Sequence, residues 1–314
     1  MTYAVGQPIA AANFMSFRGA NAPNQAYTSS GSATNAVAAL IGVGYACRGY
    51  GITTTCIPSV IIGELITATH WDNLYNAMGI LNTYTGTGLT LPTNVVTGQV
   101  IQAEDGSSSR PNLPSIVSTL DTNRLTPAIT QVTTTAELTS VRTTSWTNSV
   151  THQFTMTFTT EDQARYFFNT GGQAYLSASR TGGSATHINI SMSTLLSQMG
   201  TIAVGANATT YTGTGGTANA IGYYQLTTNF QTLFTHYGSA YGYSTISYTV
   251  QAKTNGPIGS TGGNGNVVTI QAIFATNLSG YGDVLDGTLT SSIQQLMSDT
   301  IPVIAPTWAT TISL

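Results

Sequence analysis

Arg165-Tyr166-Phe167-Phe168-Asn169-Thr170-Gly171-Gly172 sets three aromatic residues in a row before a double glycine, and the residues on either side alternate in polarity. Upstream, Phe154, Met156 and Phe158 interleave with Gln153, Thr155, Thr157 and Thr159, the period of two of a strand with one buried face. That strand is expected to end near Thr159. Thr160 has Gln163 three residues on, the spacing of a capping box, and Glu161 and Asp162 fall in the first turn, where the helix dipole favours negative charge. Ala164, Phe167 and Phe168 give this short helix one apolar side, and Gly171 supplies the left-handed position at which helices commonly stop. Alternation resumes at Ala174, Leu176 and Ala178. The unit reads strand, short helix, strand, which points to a mainly β fold carrying short helices.

Residues 153–183, with "ARYFFNTGGQ" at the centre and "SASRTGG" at the end, resemble a segment recurrent in virion structural proteins of tailed bacteriophages. The resemblance extends through "GVGYACRGYG", "ITATHWDNLYNAM" and "LDTNRLT" on one side and "AIGYYQLTTNFQTLFT" and "GGNGNVVTIQA" on the other. It implies a particle component of the tail, fibre or neck, located in the virion after assembly in the host cytoplasm. It implies no catalytic residues.

Composition agrees with an extracellular or particle-borne surface. Only 6% of the 314 residues are charged, against roughly 25% in an ordinary soluble domain, and Lys253 is the only lysine. Thr, Ser, Asn, Gly and Ala take the place of charge, a choice that suits strands and turns better than exposed helices. A net charge of −3 leaves no electrostatic footprint for nucleic acid or an anionic membrane. The opening Met-Thr-Tyr-Ala-Val-Gly lacks the basic and apolar regions of a signal peptide. The longest apolar run, residues 36–47, is shorter than the about 18 residues a membrane span needs, and is expected to be buried core. Cys47 and Cys56 match no short zinc spacing; free thiols are the favoured reading and a disulfide clip the alternative.

A phrase recurs in the first third: Gly6-Gln7-Pro8-Ile9-Ala10-Ala11, Gly63-Glu64-Leu65-Ile66-Thr67-Ala68 and Gly98-Gln99-Val100-Ile101-Gln102-Ala103. Its irregular spacing argues against a solenoid and for a repeated entry device, a turn and a short extended piece ahead of a helix. Trp71, Leu74, Tyr75, Met78 and Leu81 follow the second copy at helical spacing, with Thr69 and Asp72 in capping-box register. Leu113, Ile116, Val117 and Leu120 follow the third, and Phe14 and Phe17 the first. These stripes read first as core within the chain; the alternative is a subunit interface made by Trp71, Leu74, Tyr75 and Met78. A homo-oligomer is expected, because residues 1–130 hold many apolar stripes and few long strands to cover them, with a trimer favoured by analogy with phage fibres.

Residues 1–130 therefore form a mixed N-terminal attachment or assembly region, and residues 131–314 a mainly β, sandwich-like C-terminal domain, an α+β chain overall. Strands are expected at 150–159, 173–180, 201–206, 221–226, 244–253 and 266–275. A helix around Met192, Leu195, Leu196 and Met199 is expected to end at Gly200. For residues 287–297 the Thr and Ser content favours a strand over the helix that Leu289, Ile293 and Leu296 would permit. Residues 256–266, rich in glycine, form a loop without the Lys-Ser or Lys-Thr ending of a phosphate cradle.

Nothing in the sequence spells catalysis, a cofactor or a metal. His70, His152, His187 and His236 are far apart, and no Gly-x-Ser-x-Gly elbow occurs. The acids cluster only as Glu104-Asp105, Glu161-Asp162 and Asp283 with Asp286, and a glycosidase needs two carboxyls facing each other across a sugar. The expected function is a non-enzymatic virion component that contacts other virion proteins; a carbohydrate-binding adhesin is the alternative, and a glycan depolymerase stands behind both. Six tyrosines, Tyr211, Tyr223, Tyr224, Tyr237, Tyr241 and Tyr243, lie among glycines in the second half. Tyr223, Tyr224 and Tyr243 are expected as strand residues packed in the sheet. Tyr237 and Tyr241, in "HYGSAYGY", are expected at an exposed tip able to grip a neighbouring subunit or a host glycan.

Overall fold

A computed structural model of the chain describes Phe14 and residues 57–58, 60–61, 64–93, 113–123, 132–134, 138–256, 264–276, 284–298 and 305–313. Within these, two hydrophobic cores share no residue. The smaller joins Phe14, Ile57 and Val60 to the apolar sides of helices α1 (Ala68–Thr85) and α2 (Leu113–Asn123). The larger runs from Trp146 to Met297 and fills a β sandwich.

Both helices of the smaller core follow their apolar spacing. Trp71, Leu74, Tyr75, Met78 and Leu81 of α1 are buried, and so are Ile116, Val117 and Leu120 of α2. The start of α1 departs from expectation: the N-cap is Thr67, not Thr69, and the Nδ1 of His70 accepts the Thr67 N–H at 2.9 Å. Ile66 of the second Gly-x-x-Ile phrase packs on this core immediately before the helix. The first and third copies, Phe17, Cys47 and Cys56 lie outside the described residues.

The sandwich consists of two six-stranded antiparallel sheets. In the first, β1 (Val132–Thr134) and β2 (Leu138–Arg142) both pair with β11 (Thr288–Ser298), followed by β4 (Gln173–Thr181), β5 (Ile202–Val204) and β6 (Thr209–Tyr211). The second runs β12 (Thr307–Ser313), β3 (Ser149–Thr157), β10 (Val267–Ala275), β9 (Ser247–Thr254), β8 (Gln231–Tyr237), β7 (Thr217–Ala218). Inner faces carry Val150, Phe154 and Met156 of β3 and Val268, Ile270 and Phe274 of β10, set against Leu176 of β4 and Leu289 and Ile293 of β11. The outer face of the second sheet is laid in hydroxyls and amides. Thr311, Gln153, Gln271, Gln251 and Thr232 stand level across five strands, and the Gln271 amide donates to Gln153 at 2.9 Å.

The strand, helix, strand unit forms as β3, α3 (Glu161–Asn169) and β4, with its two strands in different sheets. Helix α3 closes one end of the sandwich. Thr160 Oγ1 accepts the Gln163 N–H at 3.2 Å, while Gln163 Oε1 reaches back one residue beyond the cap, to the N–H of Thr159. The chain leaves α3 through Gly171 at φ 81°. At Gly172 a Cβ would run into the Phe167 carbonyl, which accepts the Gly172 N–H at 2.8 Å. A fourth helix, α4 (His187–Met199), lies against β4, β8 and β9 and buries Ile188, Met192, Leu195, Leu196 and Met199. It ends at Gly200, as expected.

One expected strand is absent: residues 221–226 contain a 3-10 turn, Tyr223–Gln225. The Tyr223 and Tyr224 N–H groups donate to the carbonyls of Gly205 and Ala206, and a side chain at Gly222 would collide with that loop. Backbone contact there outweighs the β-preference of two aromatics. Tyr223, fully buried, fastens this turn by donating its hydroxyl to the Gly265 carbonyl at 2.7 Å and accepting the Asn264 N–H at 2.8 Å. The expected loop at 256–266 joins β9 to β10; its residues 257–263 lie outside the described set.

Two polar links cross the sandwich. His152 of β3, fully buried, shares a 2.9 Å hydrogen bond between its Nδ1 and Ser291 Oγ of β11, and its Nε2 has no partner. The Trp308 indole N–H of β12 donates to Gln295 Oε1 of β11 at 2.8 Å.

Candidate contact surface

Tyr237 ends β8, and the chain returns to β9 through residues 238–246. Several contacts fix this connection. Gly238 donates to Ile246 O at 2.9 Å, and Ile246 is fully buried in the larger core. The next tether is to α4: Ser191 Oγ donates to the Ala240 carbonyl at 2.8 Å. Tyr241 then takes a left-handed conformation, φ 54° and ψ 22°, followed by Gly242 at φ 80°. Such a φ is uncommon for a bulky residue and persists where surrounding contacts hold it. Its ring stacks on His187 at the start of α4, centroids 4.3 Å apart and planes within 3°. Tyr237 and Tyr241 are nonetheless 61% and 58% exposed.

The other four tyrosines are engaged internally. Tyr223 stacks on Phe168 at 4.4 Å, the Tyr224 hydroxyl donates to Asn169 Oδ1, and the Tyr211 hydroxyl to the Gly216 carbonyl. Tyr243 packs against the larger core. Tyr237 and Tyr241 are exposed and Tyr223, Tyr224 and Tyr243 pack inward, as expected, but the local structure differs: Tyr223 and Tyr224 sit in a 3-10 turn, Tyr243 in the connection from β8 to β9, and Tyr237 at a strand end. Trp71, Leu74, Tyr75 and Met78 are buried within the chain, the first reading of that stripe and not the subunit-interface alternative. Burial, with the Asp72 charge adding, pushes the Tyr75 hydroxyl up to about 12. Among the described residues, the exposed large apolar side chains just ahead of α1 are Ile61 and Leu65.

A shallow open groove of about 470 Å³ runs along α4, lined by Arg180, Gly183, Ser184, Ser193, Thr194 and Ser197. Beside this groove, Asp286 precedes Gly287, where the chain turns at φ 88°. The Asp286 carboxylate also ties the end of β4 to the start of β11. Ser184 donates its hydroxyl to it at 2.7 Å and its N–H at 3.0 Å; Arg180 Nη2 lies at 3.0 Å and Asn189 Nδ2 at 2.6 Å. Ser184 chiefly, with Asn189 and Arg180 adding, holds this carboxyl below its usual range. Asp286→Ala is expected to speed amide exchange at Ser184 and through 182–190 and to lower the melting temperature, whereas Asp286→Asn keeps part of the acceptor role. Unchanged exchange at Ser184 in the alanine variant would show that the carboxylate does not hold the turn.

Each described acid of the groups singled out in sequence has a structural partner. Glu161 Oε1 accepts the Gly265 N–H at 3.0 Å, Asp162 lies 3.5 Å from the buried Arg165 guanidinium, and Asp286 is saturated with donors. Glu104, Asp105 and Asp283 lie outside the described residues. Among the described residues no three His, Cys, Asp or Glu side chains group as metal ligands, and no helix is long and apolar enough to cross a membrane.

No family model, curated protein or solved structure matches this chain. The contact surface is therefore read from its own chemistry: two outward tyrosines on a pinned turn.

Proposed function

We propose that this chain is a non-enzymatic structural component of a tailed-phage virion, tail, fibre or neck associated, assembled in the host cytoplasm and held by contacts with other virion proteins. The observation that carries the reading is the Tyr237 and Tyr241 turn: two exposed aromatic side chains on a connection tethered to α4, on a sandwich with few charges. Such residues give contact area at low entropic cost. The resemblance of residues 153–183 to virion proteins supports it, and the structural partners of Glu161, Asp162 and Asp286 favour a non-catalytic role. A carbohydrate-binding adhesin is the second reading, favoured by the Tyr241 ring, backed by His187 and set on the helix that lines the groove.

Mass spectrometry of purified particles tests the first reading; absence of the chain from every virion fraction would overturn it. Changing Tyr237 and Tyr241 together to alanine removes two mostly exposed rings and one stacking contact with His187, and is expected to lower the melting temperature by only about 2–4 °C. Incorporation into particles, or binding to host cells on the second reading, should fall. A large loss of thermal stability would show instead that the two rings hold the turn together and are not a contact surface.

A further inference from the structure

Among the described residues the sandwich has one long edge, β12, with no strand paired on its outer side. Edges β1, β6 and β7 are three, three and two residues long, and β2 carries Arg142. Strand β12 has seven residues, Thr307-Trp308-Ala309-Thr310-Thr311-Ile312-Ser313, with no charge, proline or glycine. Among the described residues it pairs with β3 alone, and residues 309–313 are exposed. Natural edges of this length are usually protected by charge, proline, a bulge or a cover, because their free N–H and C=O groups recruit another strand. On the core-facing side Trp308 is anchored by Gln295, but Ile312 is left 42% exposed, and on neighbouring β2 Val141 is 45% exposed.

We infer that β12 pairs antiparallel with β12 of a second copy of this chain about a two-fold axis at Thr310, joining the two second sheets into one continuous sheet. The strand is self-complementary in that register. Thr310 meets Thr310 of the other copy, and Trp308 and Ile312 meet reciprocally. The backbone groups of the odd-numbered residues of β12 face β3, so those of these three residues point to the free edge, each opposed pair is hydrogen-bonded, and the exposed isoleucine gains an aromatic neighbour. Inverted on itself, the strand brings no like charges together, which an edge carrying lysines or acids would do. The contact is isologous and closed, so it points to a dimer in place of the three-fold closure expected by analogy with fibres. It does not depend on the virion reading: a chain absent from particles yet dimeric through β12 would remove that reading and leave this inference standing.

Sedimentation of the purified chain at micromolar concentration, with hydrogen exchange at several concentrations, is the test. A dimer is expected, with the edge-facing amides of Trp308, Thr310 and Ile312 exchanging more slowly as concentration rises. Thr310→Lys, which sets two cations opposite each other, is expected to weaken the dimer roughly tenfold or more without lowering the monomer's melting temperature. Thr310→Glu should do the same, and an equimolar mixture of the two variants should recover association. A monomer at every concentration would overturn the inference, as would a dimer indifferent to both variants and without protection at 308–312. Protection of this edge only inside particles would overturn it too, since the added strand would then belong to another virion protein.

Discussion

Replacing Phe168 by alanine is expected to lower the unfolding free energy by about 3–5 kcal/mol, the range for deleting a buried phenylalanine from a well-packed core. Phe168 is 1% exposed. Its ring lies flat on Tyr223, 4.4 Å between centroids and 10° between planes, and edge-on to Phe167 at 5.0 Å. Tyr223 in turn holds Gly265 and Asn264 through its hydroxyl, while Asn264 Nδ2 donates to the carbonyls of Tyr223 and Leu226 at 2.6 and 2.7 Å. Loss of the Phe168 ring therefore leaves a void and frees the tyrosine that fastens the 3-10 turn to the β9–β10 connection. The midpoint of urea unfolding reads the cost directly, and the melting temperature should fall on the order of 10 °C. Phe168→Leu, closer in volume, should cost less than half as much. A change below about 1 kcal/mol for the alanine variant would mean that the neighbouring rings close over the gap.

Acid should destabilise the sandwich through His152. Burial, with the Arg142 charge adding, lowers its imidazole from the ordinary 6.5 to about 4. The folded chain therefore keeps His152 neutral where the unfolded chain takes up a proton. Its contribution is complete above pH 6.5 and is lost as the pH falls to about 4, a window in which the unfolded state binds more protons. A displacement of this size corresponds to up to about 3 kcal/mol. His236, lowered by burial, adds in the same direction, and Asp286, held below 3.8, loses its contribution only at lower pH. The stability of the native chain should fall from pH 7 to pH 4, and His152→Gln should flatten much of that slope. Should that variant fail to fold, NMR titration of the imidazole decides the point: a midpoint near 6.5 in the folded protein would contradict the burial argument.

What could be read from sequence depended on whether one face of an element was buried apart from the other. β3 and β10 alternate at every position, and both were legible. β8 was not: it carries an irregularity between Thr232 and Phe234, so Leu233 and Phe234 are buried side by side and the period of two disappears. β12, exposed on both faces beyond Trp308, has no alternation to find. In β11 the inner face includes Ser291 and Gln295, polar positions that only their partners His152 and Trp308 explain. The contact turn was legible as exposed tyrosines among small residues, but its stacking on His187, 54 residues earlier in sequence, was not. The Asp286 network was missed for the same reason, since Ser184 lies 102 residues away.

The pairing order of the strands also governs how the chain is made. β11 is the shared partner of β1, β2 and β4, and β3 is flanked by β10 and β12, so each sheet waits for residues synthesised long after its first strands. At about 5–20 residues per second, β4 spends on the order of ten seconds outside the ribosome before β11 can cover its edge. Pairings so distant in sequence fold slowly. Through that interval the chain carries apolar strand faces with almost no charge to keep nascent copies apart. Yield in a heterologous host should therefore depend more on growth temperature and chaperone supply than on the stability of the finished sandwich.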